Sequence, residues 1–219
     1  MNNESSFDEI TLRDYLVSHL TSPLFIKDEQ ELMNFCAGSG FYPKGTHFGI
    51  LTVRIERWSN VFSSEAQRLE STRHHFFLLT NMLEEVLNRR NLAVVSERDY
   101  QLVAVVNLQE PWDRFCETVR PELEQVMEIL ETEFNVSVTI AVSQEAPGLS
   151  ALPRAYQETQ DVLWYNDFLE QDRQILFYES LCDEHLPMIR SDLTALDKKL
   201  ISKLQLGDAA GVKYVLHEM

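Results

Sequence analysis

Six consecutive residues, Phe48-Gly49-Ile50-Leu51-Thr52-Val53, constrain the fold of this chain more than any other segment. They are apolar at almost every position and rich in β-formers, without the alternation of a half-solvated strand. A strand of that kind is covered on both faces, so it belongs at the centre of a sheet with other layers packed on it. It extends from His47 to Glu56.

The flanking pattern supplies those layers. Ser63 to Arg90 reads as one long helix, with Ala66, Leu69, Phe76, Leu79, Leu83, Val86 and Leu87 on one side and Glu65, Arg68, Glu84 and Arg89 off it. Leu92–Val95 and Gln101–Asn107 read as the strands of a hairpin joined by Ser96 to Tyr100. Trp112 to Phe134 repeats apolar residues every three or four positions, and Pro121 is expected to kink it or split it into two abutting helices. Val136–Val142 alternates as a strand, and a helix from Ser150 to about Phe168 follows, capped by Ser150 with Pro153 in its first turn. Ile175–Tyr178 reads as a final edge strand. Ahead of all this, Phe7–Leu20 and Asp28–Ala37 read as helices, the second capped by Asp28 and closed by Gly38-Ser39-Gly40. The summed order predicts an α+β fold: an antiparallel sheet flanked by helices, with helical extensions at both ends.

Charge excludes one class of partner. Against 19 basic residues stand 35 acidic ones, a net charge of -16, so the long-range field repels phosphate backbones and anionic membrane surfaces. At 44% hydrophobic the 219 residues suffice for a packed core. No apolar run approaches the roughly 20 residues that cross a bilayer, and the start Met1-Asn2-Asn3-Glu4 lacks the order of a signal peptide. A cytoplasmic protein with no membrane partner is expected. Cys36, Cys116 and Cys182 lie far apart and read as small buried apolar groups in a reducing compartment.

Familiar catalytic arrangements are missing. His74 and His75 point about 100° apart on a helix and cannot converge on one metal. There is no nucleophile elbow, no phosphate loop and no clustered cysteine pair. Trp58, Trp112 and Trp164 could stack a ligand, but aromatic residues at such spacing are more often core. No catalytic residue, metal ligand or cofactor is therefore expected.

Three segments carry a resemblance. Gly49 to Trp58 resembles the first strand, and its acidic exit, of the GGDEF fold of diguanylate cyclases. Val138 to Ser143 resembles a later strand of that fold, and Ala155 to Tyr165 the closing helix whose apolar and aromatic residues dock on the sheet. The form is similar to the degenerate GGDEF-like domain, with a ferredoxin-like core, at the centre of AraC-family transcription regulators of the YesN type. The resemblance implies a helical segment at 1–45, a sensor or dimerisation domain at 46–180 and linker helices at 181–219.

It also implies what catalysis would need. Cyclases of this fold hold Mg²⁺ and a triphosphate with one carboxylate at the end of the first strand and another in the hairpin turn, because hard cations take oxygen ligands. The first position is Arg54, whose guanidinium cannot ligate a cation. Glu56 keeps an acid nearby, and Asp99 matches the hairpin carboxylate. The paired glycines that admit a nucleotide are Ser96 and Glu97, followed by Arg98. Arg54, Glu56, Glu97, Arg98 and Asp99 thus form a charge cluster that is either part of a degenerate cleft still binding a nucleotide or small metabolite without turnover, or an internal network fastening the turn.

In the tail, Ser191–Leu206 reads as a helix stopped by Gly207, and Ala209–Met219 begins another inside which the sequence ends. The expectation is a piece of a longer regulator, a homodimer that reaches DNA through an absent helix-turn-helix reader. Regulators of the PucR and CdaR groups, with a similar middle domain, are the alternative.

Overall fold

Strand β1, His47–Arg57, lies at the centre of a five-stranded sheet. The computed structural model describes residues 3–25, 28–57, 65–89, 92–169 and 174–182. In chain order the elements are α1 (Asn3–Thr21), α2 (Glu29–Gly38), β1, α3 (Glu65–Asn88), β2 (Leu92–Arg98), β3 (Gln101–Leu108), α4 (Trp112–Phe134), β4 (Ser137–Val142), α5 (Leu152–Leu169), β5 (Ile175–Phe177) and α6 (Tyr178–Cys182). The tail helices expected after Ser191, and Trp58, lie outside the described residues.

The strand order β2-β3-β1-β4-β5 is the split arrangement expected of a βαββαβ core. β1 pairs antiparallel with β3 and β4, and β3 pairs antiparallel with β2. β5 differs from the expected antiparallel sheet: it runs parallel to β4, because α5 carries the chain back across the sheet before β5 begins.

Alternation along β1 divides the core. Leu51 and Val53 face α3 and α4, packing with Phe76, Leu79, Leu83, Trp112, Phe115 and Leu123. Phe48 and Ile50 face the other layer, with Leu16, Val17 and Leu20 of α1, Leu32 and Cys36 of α2, and Leu152 and Ala155 of α5. Each buried Leu or Phe contributes about 1.5–3 kcal/mol by leaving water. Gly49 faces α4 so closely that a Cβ would lie 1.9 Å from the Trp112 ring. Trp112 is therefore core, 5% exposed, whereas Trp164 is 37% exposed.

The edge strand β2 is fenced. α1 and α3 pack on it from opposite faces, and Arg13 of α1 reaches Glu84 of α3 at 2.6 Å past its outer side. Such a fence disfavours pairing with a second sheet.

Three local expectations change. α4 is one helix through Pro121 and not two, with the ring on the exposed side while Val119, Leu123 and Val126 stay buried on the core side. α5 is entered through a 3-10 turn, Leu149–Ala151, and Ser150 does not cap it; Glu29 of α2 accepts from the Leu149 and Ser150 amides at 2.7 and 3.1 Å. The hairpin turn is shorter than the five residues expected. β2 and β3 pair as far as Arg98 with Gln101, leaving Asp99 and Tyr100 at φ 52° and 61°, the geometry of a two-residue type I′ turn matched to strand twist.

The chain separates into two compact units, Met1–Tyr178 and Glu179–Met219. Of the second, residues 179–182 are described, within α6. Among the described residues no helix is long and apolar enough to cross a membrane.

Candidate functional site

The pleat puts Arg54, Gln101 and Arg98 in one row across three strands, since Arg54 pairs with Gln101 and Gln101 with Arg98. All three share the face that carries Ile50, Val103 and Val94, the face on which α1 and α5 pack. α5 crosses this row with Tyr156, Gln160, Leu163 and Asp167, residues that helical spacing aligns on one stripe.

Each member of the row meets a member of the stripe. Arg54 donates to both carboxylate oxygens of Asp167 at 2.6 and 3.4 Å, to Glu56 at 2.9 Å and to the Leu163 carbonyl at 3.3 Å. Gln160 donates to Gln101 at 3.0 Å. The Arg98 guanidinium lies 4.6 Å from the centre of the Tyr156 ring and donates to the Thr21 hydroxyl at the end of α1. Burial works to lower the Arg54 pKa, but hydrogen bonds and attraction from Glu56 and Asp167 outweigh it and hold the guanidinium above its ordinary range. On the Tyr156 phenol burial acts the other way, pushing its pKa up against the pull of Arg98.

The five residues singled out in the sequence thus fall into separate groups. Arg54 and Glu56 join one network with Asp167. Arg98 joins α1 and Tyr156, with Asp99 at 3.6 Å from its Nε on an 82% exposed side chain. Glu97 alternates onto the face opposite Arg98. Where paired glycines would admit a nucleotide, Ser96 is buried and donates to Asp14 of α1 at 2.5 Å, so a helix covers the approach.

Asp167, Gln101, Gln160, Tyr156 and Thr21 were not picked out from the sequence. One signal was available: Gln160 and Asp167 sit on the same helical stripe as Tyr156 and Leu163, where a purely apolar docking face would carry neither.

A divalent ion requires several oxygen ligands converging on one point. At the end of β1 the two carboxylates, Glu56 and Asp167, converge on a guanidinium instead, so these residues do not fit Mg²⁺. Among the described residues no group of three or more His, Cys, Asp or Glu could hold a metal ion. What the arrangement does chemically is bind α5 to the sheet by charge-assisted bonds.

No curated protein matches the chain. The crystal structure of a regulator of polyketide synthase expression from Bifidobacterium adolescentis aligns with 87% of this chain and 63% of its own length, at 15% identity and a TM-score of 0.44. The GGDEF-like domain matches residues 29–164, more than half of the 219. The chain belongs to the GGDEF-like domain family.

Proposed function

We propose that this chain is a regulatory module that does not turn over nucleotide, the sensing or dimerising part of a DNA-binding transcription regulator of the AraC family, YesN type. The observation that carries the loss of catalysis is Arg54: it stands where this fold needs a cation ligand, and both nearby carboxylates are committed to it. Residues 46–180 form the sensing or dimerising domain and residues 181–219 lead toward a helix-turn-helix reader, which engages DNA as a homodimer because two half-sites require two readers. The net charge of -16 supports assigning DNA contact to that reader and not to these residues.

Incubation of the chain with GTP and Mg²⁺, with products resolved chromatographically, tests the reading. No cyclic dinucleotide is expected; product that disappears on Asp99→Ala would sink it.

A further inference from the structure

The end of α5 that Arg54 holds also holds β5. Arg54 pairs across β1 and β4 with Thr139, and the Thr139 hydroxyl accepts from Asn166 of α5 at 3.5 Å. Asn166 in turn accepts from Gln174 at 3.3 Å, and the Gln174 carbonyl accepts from the Ile140 amide at 2.8 Å, the bond that begins the β4–β5 ladder. Asn166 and Asp167 are neighbours, so one turn of helix touches the arginine on one side and the root of β5 on the other.

β5 depends on such support. It is three residues long, parallel, at the sheet edge, and only half-buried along its length. Ile175 and Phe177 pack against the core beneath it, and the Phe177 ring lies 4.4 Å from the Arg120 guanidinium of α4. A short edge strand with little buried apolar surface opens at low free energy unless its neighbours hold it. Directly after it, at Tyr178, the first compact unit ends.

We propose that Arg54 is a latch for β5: by clamping Leu163 and Asp167 it keeps the last turn of α5 in register with Thr139 and Gln174, and so keeps β5 on the sheet. The substituted site is then coupled to the point where the chain passes into its second unit. An event that loosens the clamp frees β5, the last strand before that point. This goes beyond the proposed regulatory reading and does not require it, because strand opening and nucleotide turnover are measured separately.

Hydrogen–deuterium exchange on the full chain tests the latch. Arg54→Ala should speed exchange in 174–178 and 163–167 about tenfold more than in 92–108, the usual size of a coupling between sites. Asp167→Asn provides the milder version should Arg54→Ala fold poorly. Coupling is reciprocal, so Phe177→Ala should speed exchange in 163–167. Release of α5 with β5 unchanged, equal acceleration across 92–108, or an α5 indifferent to Phe177→Ala would each overturn the proposal.

Discussion

The two ends of β1 are held by opposite means. At Gly49 the strand meets the Trp112 ring so closely that shape alone settles the residue, and Phe48 beside it lies against a wall of aliphatic side chains. Five positions on, Arg54 is held by ion pairs and hydrogen bonds to Glu56, Asp167 and a helix carbonyl. One end is rigid because a close-packed interior tolerates no added volume. The other can change partners, because charge-assisted bonds at partly exposed groups can be exchanged for water or for another ion. Within one strand, the packed end is fixed by shape and the charged end is held by bonds that water or another ion can replace.

Substitutions at the two ends should reflect that contrast. Gly49→Ala forces a methyl into Trp112 and should cost about 3 kcal/mol or more in urea unfolding. Trp112→Leu should then recover part of the loss in the double variant, since residues in contact do not act additively. Simple additivity would show that shape is not what governs this end.

Arg54→Ala leaves the half-buried Glu56 without its donor while Asp167 turns to water, so the expected cost is smaller, about 2 kcal/mol. A loss as large as that from Gly49→Ala would remove the distinction.

A pH effect belongs to the packed end. Cys36, buried in the same cluster as Phe48, has its thiol pushed up from the ordinary 9.0 to about 12 by burial, with Glu29 adding to the shift. The folded state holds this proton more tightly than the unfolded state. Its contribution is complete below about pH 9 and is lost as pH climbs toward 12. Stability should fall across that window more steeply in the parent chain than in Cys36→Ala; parallel curves would refute it.

The smallest effect concerns the hairpin beyond the charged row. A left-handed tyrosine costs about 1–2 kcal/mol and glycine loses roughly 0.5–1 kcal/mol of chain entropy, so Tyr100→Gly should stabilise by about 0.5 kcal/mol. Destabilisation instead would mean that the exposed Tyr100 ring makes a contact the turn geometry does not require.

Much of the scaffold was legible in one dimension, for reasons visible at particular residues. The unbroken apolar run at Phe48–Val53 announced a central strand, and the three-and-four spacing from Trp112 to Phe134 announced α4. Pro121 does not divide α4 in two, because its ring lies on the exposed side and displaces no core packing, and that exposure was not readable from spacing. The hairpin was placed but its turn was read too long, since Ser96 and Glu97 look polar enough for a loop until Asp14 of α1 is seen to receive the Ser96 hydroxyl.

Apolar periodicity reports which side of an element is buried, a property each segment carries in its own residues, and that is why the layers could be read directly, while Arg54 drew notice only through the resemblance of its strand to a known fold. Which groups answer that arginine is a different kind of fact. Asp167 lies 113 positions away, and its arrival depends on the sheet order, the pleat and the angle at which α5 crosses. No local pattern encodes such a meeting, because it is fixed by the packing of distant segments against one another.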